Sequence, residues 1–158
     1  MLSEEILYQL LDIMPVARLG LLDGVGLPEA MPIVFTRVGG GLFSPIDGKP
    51  KSSAKLARIK LIENQPKGTL LLDYYTDKWE HLWWLKMDIE ATVISTEHNS
   101  WDQAVLGLRT KYPQYRSVSL FKDEPTMISL RWTRVRWWAS SELNGLKRWI
   151  EAKSPSPI

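Results

Sequence analysis

Cysteine is absent from this 158-residue chain, and histidine occurs only twice. Without cysteine there is no disulfide bond, no thiolate metal site and no cysteine nucleophile, and a reducing cytoplasm is the expected location. The two histidines, His81 and His98, lie well apart in the sequence, which argues against a histidine-based metal centre. The sequence therefore predicts neither a disulfide scaffold nor a metal site.

Long apolar runs and a strong net charge are also missing. No run approaches the roughly 18–20 residues that a transmembrane helix needs, so no membrane partner is expected. The first residues carry the acids Glu4 and Glu5 and no basic region, which does not fit a signal peptide. The excess of 20 basic over 18 acidic residues gives a net charge of only +2. Nucleic-acid binding requires several clustered phosphate contacts, and this charge is too weak to indicate it.

Tryptophan, by contrast, is abundant, with eight in the chain. Large aromatic side chains suit a flat ligand or an interface, although a core rich in tryptophan is the alternative. Hydrophobic residues at 44% and charged residues at 24% are typical of a globular protein. No repeat or change of composition marks a boundary. We therefore expect a single domain over residues 1–152 and a disordered tail over 153–158.

Hydrophobic periodicity divides the first part of the chain into one helix and three extended runs. The helix is predicted over 3–12, with Ser3 as its cap. Extended runs at 17–22, 29–38 and 42–46 are separated by turns too short for helical crossovers. Their spacing predicts a meander of adjacent antiparallel strands.

Strands and helices alternate in the second part of the chain. The predicted elements are a helix at 53–64, strands at 68–75 and 81–95, a helix at 97–111, a strand at 125–132 and a helix at 141–152. In the strand at 81–95, strict alternation assigns Trp83 to the buried face and Trp84 to the polar face. About six strands with a few helices indicate an α+β barrel.

The segment SPIDGKPKSSAK (44–55) joins the third extended run to a helix. Lys49 and Lys51 place two ammonium groups just before the helix N-terminus, where free N–H groups and the helix dipole also favour an anion. Phosphate is the commonest biological anion for such a site. The glycine spacing is not that of a P-loop. A solvated basic turn with a serine cap is the alternative, and physical chemistry alone favours it.

Four ordered motifs extend this picture: LFSPIDGKPKSSAKL, QPKGTLLLDYYTDKWEHLWWLKMDIEATVI, KYPQYR and a late tryptophan pair at 137–138. Through them residues 15–140 resemble the pyridoxamine 5′-phosphate oxidase-like FMN-binding split-barrel superfamily. Within it, the closer likeness is to the F-420 (deazaflavin)-dependent enzyme class. The resemblance implies a homodimer of six-stranded antiparallel split barrels, with a cofactor in each of two grooves at the dimer interface.

The resemblance also implies which residues bind the cofactor. The positions that match are Pro32, Ile33 and Val34 along the ring system, Ser44, Pro45, Lys49 and Lys51 at the phosphate, and Trp84 beside the ring. Arg58 could add charge and Trp138 could cap the groove. The alternatives are a solvated arginine, an interface anchor at Trp84 and plain packing for Trp138.

The cofactor and the reaction are less closely defined. The four cations Lys49, Lys51, Lys55 and Arg58 exceed the need of one phosphate, which favours the long acidic tail of F-420 over FMN, with haem third. Flavin-type cofactors perform the hydride chemistry themselves. No acid–base dyad or nucleophile motif is present, and His81 is a possible proton donor or an ordinary loop histidine, so the catalytic residues stay unassigned.

Three functional classes follow. The first is an oxidoreductase that acts with F-420 or FMN on a small organic substrate. The second is a non-catalytic carrier or sensor of flavin or haem on the same scaffold. The third, a small basic barrel that binds nucleic acid, is the weakest because the net charge is low and the tryptophans do not line one strand face.

Overall fold

The computed structural model describes residues 1–46 and 53–154. The strands are Ala17–Leu22 (β1), Pro28–Ile33 (β2), Thr36–Val38 (β3), Gly41–Pro45 (β4), Lys67–Tyr74 (β5), Trp83–Ile94 (β6) and Met127–Ala139 (β7). The α-helices are Glu4–Ile13 (α1), Ser53–Asn64 (α2), Trp101–Lys111 (α3) and Glu142–Lys153 (α4). Short 3-10 turns cover Trp79–His81 and Pro113–Arg116.

Within the described residues, seven strands form one antiparallel sheet in the order β2-β1-β5-β6-β7-β4-β3. β2 and β3 lie at opposite edges of this sheet, yet only Val34 and Phe35 separate them in sequence. A link of that length spans roughly 10 Å, so the two edges must approach each other. The sheet therefore curls into a barrel, and the predicted α+β class is confirmed.

Two predictions about the strands were wrong: the number of strands, and the continuous meander of the first three extended runs. The extended run at 29–38 is two strands, because the chain breaks at Val34–Phe35 and the buried Phe35 gives its N–H to the hydroxyl of Tyr112, 3.0 Å away. The sheet consequently has seven strands rather than six. β4 pairs with β3 and β7 and not with β2, so the first strands do not form one continuous meander.

Most of the other boundaries agree with the sequence, but the last strand, predicted over 125–132, runs from Met127 to Ala139 because it pairs with β6 along its whole length. The hydroxyl of Ser3 accepts the N–H of Ile6 at the start of α1, and α2 covers the predicted residues. α3 begins at Trp101, four residues after its predicted start, since turns occupy the preceding residues. α4 runs to Lys153, one residue into the predicted tail, and residues 155–158 lie outside the described residues.

A β-bulge decides which way the end of β7 faces. Asp88 of β6 pairs with Arg134 and Ile89 pairs with Trp132, so Thr133 is an extra residue on β7. Before the bulge, even-numbered residues of β7 point into the barrel; after it, odd-numbered residues do. Trp137 therefore packs against the core and Trp138 points outward, 42% exposed.

Two apolar cores hold the fold together. The larger fills the barrel, with Leu19, Leu70, Leu72, Leu85, Met87 and Leu130 fully buried. The smaller lies outside the barrel, where α3 packs against β3 and its side chains reach β4 and the beginning of β7 through Phe43, Trp101, Leu108 and Met127. One part of the outer sheet surface is thus covered by a helix. The part formed by β1, β5, β6 and the end of β7 carries mainly charged residues and two tryptophans, which are half-buried or exposed.

Candidate functional site

The exposed part of the sheet carries two tryptophans side by side. Trp84 of β6 lies directly opposite Asp73 of β5 on one side and Trp138 of β7 on the other. Trp83, one residue earlier, is 1% exposed inside the barrel, so the predicted division of this pair is confirmed. Nζ of Lys86 lies 5.0 Å from the ring centroid of Trp84, within range of a cation–π interaction. Trp84 and Trp138 with their surroundings are called the outer tryptophan face below.

Charged side chains surround the outer tryptophan face in pairs of opposite sign. Nη1 of Arg18 lies 3.8 Å from Oδ1 of Asp73, and Arg136 forms an ion pair with Asp88. Nε of Arg136 is buried without a hydrogen-bond partner in the described part of the chain. This face offers flat apolar surface next to an unused donor, which fits a planar ring system that bears acceptor atoms.

The predicted ring-binding residues of β2 fall into two environments. Pro32 is exposed and pairs with Arg18, so it lies on the same outer surface as Trp84, three strands away, at about 15 Å by the usual strand spacing. Ile33 points inward and is 4% exposed, and Val34 packs beside the second core. Their backbone atoms, which the resemblance assigns to the ring, lie at the edge of the sheet.

The predicted phosphate-binding residues lie at the other end of the sheet. Ser44 pairs with Ile128 and is 1% exposed, because inward positions alternate along β4. Pro45, the last residue of β4, is buried too, while Lys49 and Lys51 lie outside the described residues. Arg58 is half-buried on α2. The role of these residues at a phosphate stays a prediction.

The two halves of the predicted site are far apart in one chain. Ser44 lies beside the beginning of β7, whereas Trp84 lies beside its end, at Trp138. Ten residues of strand separate the two pairing positions, which is on the order of 30 Å along β7. Within the described residues, a single chain therefore keeps Ser44 and Pro45 apart from the outer tryptophan face.

Other candidates have more ordinary surroundings. His81 is exposed in the 3-10 turn Trp79–His81. Lys55 lies 3.9 Å from Asp123 and donates a hydrogen bond to the carbonyl of Glu124, so an acid already balances part of the positive charge counted near the phosphate segment. This weakens the charge argument for a long acidic ligand.

Sequence reasoning missed two adjacent polar residues at the end of α3, the half-buried Lys111 and the buried Tyr112. Nζ of Lys111 donates to the carbonyl of Leu11 and lies 3.7 Å from the ring centroid of Phe35. Burial lowers the pKa of Lys111 to about 8 and raises the pKa of Tyr112 to about 12. The Tyr112 hydroxyl, which accepts the N–H of Phe35, also donates a hydrogen bond to the carbonyl oxygen of Pro15, 2.8 Å away. The KYPQY motif was the available signal in the sequence. Its first tyrosine, Tyr112, holds the chain by hydrogen bonds at the break between β2 and β3.

No role was predicted for the arginines and the lysine of the outer face, although alternation had placed Lys86 on its polar side. Arg18, Lys86 and Arg136 stand on outward positions of β1, β6 and β7. Alternation alone could identify Lys86. Arg136 could not be placed, since the bulge at Thr133 changes the parity of β7.

Two structural absences concern the described part of the chain. No helix within residues 1–46 and 53–154 is long and apolar enough to span a membrane. In the same residues, no group of three or more histidine and acidic side chains could hold a metal ion.

Solved structures share this fold at low sequence identity. HutZ, the haem storage protein from Vibrio cholerae, is 14% identical, with a TM-score of 0.62 over 88% of this chain and 95% of its own. A candidate pyridoxamine 5′-phosphate oxidase from Listeria innocua is 16% identical, with a TM-score of 0.60 over 87% of this chain and 98% of its own. An FAD-binding protein from Mesorhizobium loti is 14% identical, with a TM-score of 0.63 over 86% and 92%.

The comparisons with sequences find less. No protein-family model matches the chain, and no curated protein matches it either. The neighbours nevertheless include a pyridoxamine 5′-phosphate oxidase-like protein and a flavin-binding protein of the same fold. The split-barrel architecture that the motifs implied is therefore confirmed at the level of the fold.

Proposed function

We propose that this protein binds a flavin-type cofactor, F-420 or FMN, in a groove between two copies of the chain and acts as an oxidoreductase. The outer tryptophan face carries the proposal. Trp84 and Trp138 lie side by side on a surface that the fold of one chain leaves half-exposed. Flat aromatic surface of this kind suits a tricyclic ring.

The separation within one chain supports a groove made by two chains. Ser44 and Pro45 beside the beginning of β7 and the tryptophans beside its end are separated by on the order of 30 Å along the strand, farther than one FMN molecule reaches. In a twofold dimer, the phosphate segment of one copy can approach the tryptophans of the other. Each groove would then take residues from both chains.

Fold neighbours support the flavin class more than the deazaflavin. An FAD-binding protein shares the fold, and the basic residues near the phosphate segment are partly neutralised at Lys55. F-420 remains our first choice on the motif resemblance, and FMN the second. The cofactor would supply hydride chemistry, while the protein binds and orients it. The substrate would be a small organic molecule.

The first test is titration of the purified protein with FMN and with F-420, followed by fluorescence. We expect saturable binding of one of them, and Trp84→Ala should weaken it at least about tenfold because a stacked aromatic contact is lost. Trp84→Phe keeps a ring and should retain most of the affinity. Absence of binding for both cofactors would contradict the proposal.

A mixing experiment tests whether two chains share the site. One variant carries Trp84→Ala and the other carries Lys49→Glu with Lys51→Glu, so each alone should bind poorly. If each groove uses the two chains, random mixing restores about a quarter of the sites, since half of the dimers are mixed and each has one intact groove. No recovery after subunit exchange would contradict the shared groove.

Haem carriage is the second candidate, and the shared fold of the haem storage protein HutZ favours it. Titration with haemin separates the two. If the Soret band of haemin shifts on binding and neither FMN nor F-420 binds, haem carriage replaces flavin binding as the proposed function. Where a flavin does bind, faster reoxidation of the bound reduced cofactor than of the free cofactor by candidate substrates distinguishes an enzyme from a carrier.

A further inference from the structure

A cavity of about 420 Å³ lies on another part of the molecule, between the end of β5, the turn Trp79–His81 and helix α4. Tyr74, His81, Arg148, Trp149 and Lys153 contribute to its lining. None of the residues predicted to bind the cofactor lines it. Its volume falls within the range of small-molecule sites.

One wall of the cavity is aromatic. The ring centroids of Tyr74 and Trp149 are 5.0 Å apart with their planes tilted by 53°. Nζ of Lys153 lies 5.4 Å from the Tyr74 centroid and 5.9 Å from that of Trp149. The wall therefore combines the half-buried ring of Tyr74 and the exposed edge of Trp149, which is 8% exposed, with the positive charge of Lys153 over both rings.

The cations of the cavity have no anionic partner within residues 1–46 and 53–154. Within the described residues, neither Arg148 nor Lys153 forms an ion pair, and the carboxylate of Glu80, which also lines the cavity, pairs with neither. Behind the wall, Nε1 of Trp83 and of Trp149 are buried donors without an acceptor in the described part of the chain. Two cations without an ion-pair partner in the described residues line this cavity, and the unpaired donor of Trp149 lies in its wall, which favours an anionic, acceptor-rich ligand.

The cavity walls are held in place by specific backbone geometry. The hydroxyl of Ser141 donates to the carbonyl of Glu80, 2.6 Å away, and joins the 3-10 turn to the start of α4. Glu142 has a φ of 55°, a left-handed conformation that non-glycine residues rarely adopt. Gly145 is required, because a Cβ there would lie 2.1 Å from Cβ of Ser141. Strained backbone of this kind concentrates at ligand sites.

We propose that this cavity is a second ligand site, which binds a small organic carboxylate with a planar apolar body. The carboxylate pairs with Arg148 and Lys153, and the planar body packs on the wall of Tyr74 and Trp149. Arginine suits this role because its guanidinium binds a carboxylate through two parallel hydrogen bonds. The proposal does not depend on the cofactor or on the outer tryptophan face.

The test uses benzoate as the probe, with benzamide as its neutral analogue and inorganic phosphate as an anion without a ring. The readout is the indole N–H resonance of Trp149 in ¹⁵N-labelled full-length protein, assigned from the signal lost in Trp149→Phe. We expect benzoate to shift this resonance saturably. Benzamide and phosphate should produce no saturable shift at the same concentrations.

Variants then separate the site from general charge. Arg148→Gln and Lys153→Gln should each weaken benzoate binding about tenfold, through the loss of a charge-assisted contact. Lys147, Arg148 and Lys153 are all exposed on α4, but Lys147 lies outside the cavity lining, so Lys147→Gln should change the affinity less than about twofold.

Three results would overturn the proposal. The first is the absence of a saturable shift with benzoate. The second is a loss of benzoate affinity in Lys147→Gln equal to that in Arg148→Gln and Lys153→Gln. The third is phosphate binding as tight as benzoate binding, which would mean that the site does not recognise a planar body. Trp84→Ala should leave benzoate binding unchanged. Failure of the cofactor proposal would therefore not affect this site, and failure of this site would not affect the cofactor proposal.

Discussion

The two faces of β6 differ in almost every property although they share one backbone. The residues that point into the barrel are at most 3% exposed: Trp83, Leu85, Met87, Ile89 and Ala91. The residues that point outward are half-buried and mostly charged: Trp84, Lys86, Asp88 and Glu90. The inner face accounts for the stability of the barrel. The outer face adds little to it, which leaves those side chains available for a ligand or a second chain.

The outer face is itself divided. Where α3 covers it, the surface is apolar and forms the second core around Trp101 and Leu108. The rest of the outer face has no such core among the described residues. Cross-strand ion pairs connect its strands instead, among them Arg131 with Glu90, whose Nη2 and Oε2 atoms are 3.1 Å apart. The protein thus closes one part of its barrel with a helix and leaves the other part polar.

Adjacent tryptophans on β6 provide the strongest contrast. Trp83→Ala removes a large side chain that is 1% exposed and should lower the free energy of unfolding by about 3–5 kcal/mol. Trp84→Ala removes an outward side chain and should cost less than about 1 kcal/mol in the separated chain. Urea unfolding at low protein concentration measures both. An equal loss in the two variants would mean that the outer face also supports the barrel.

Two glycines on neighbouring strands repeat the comparison with a smaller change. A Cβ on Gly68 would point inward, 2.2 Å from the carbonyl oxygen of Gly20 and 2.9 Å from Cδ2 of Leu21. A Cβ on Gly20 would meet only the carbonyl oxygen of Thr69, at 3.6 Å. Gly68→Ala should therefore lower the free energy of unfolding by about 2–3 kcal/mol, and Gly20→Ala by less than about 0.5 kcal/mol. Thermal and urea unfolding of both variants check this, and a tolerated Gly68→Ala would show that β1 and β5 can separate locally.

Alternation made the two faces of β6 predictable from the sequence, and Trp83 and Trp84 were assigned correctly for that reason. The division of β7 could not be predicted, because the bulge at Thr133 reverses the parity and no local residue pattern marks it. The break between β2 and β3 was also hidden. It depends on the hydroxyl of Tyr112, which lies 77 residues along the chain from Phe35.

The candidate site shows the same limit. The sequence could select Ser44 and Trp84 as members of one site through the resemblance, but not their distance within the chain. That distance follows from the pairing of β4 with the beginning of β7 and of β6 with its whole length. Pairing between strands remote in sequence is decided by the closure of the whole barrel, which local periodicity does not encode.

The titration of Lys111 offers a test of the side of the barrel that α3 covers. Burial lowers the pKa of this lysine from 10.5 to about 8, and the nearby Asp12 opposes the shift only in part. Between these values the unfolded chain holds more of the proton than the folded chain, so stability rises with pH across that window. The free energy of unfolding should be about 2 kcal/mol higher at pH 9.5 than at pH 7.

Lys111→Met is the control for this rise, since it removes the titrating group and keeps the apolar stem. In that variant the increase between the two pH values should disappear. Tyr112 acts in the opposite direction, because burial raises its pKa to about 12, but its effect begins only near the ordinary tyrosine pKa of 10. A rise that persists in Lys111→Met would assign the pH dependence to another group.

The smallest effect is expected from the ion pairs of the uncovered face, and it separates a bare surface from an interface. Arg131 and Glu90 are 69% and 42% exposed, and their coupling in a double-mutant cycle should be below about 0.5 kcal/mol. Arg136 and Asp88 are 35% and 40% exposed beside the tryptophans, and their coupling should reach about 1 kcal/mol. If a second copy covers the outer tryptophan face, only the Arg136–Asp88 coupling will grow with protein concentration, because association excludes water from that pair alone. Couplings that stay equal and independent of concentration would place the interface, where one forms, elsewhere on the molecule.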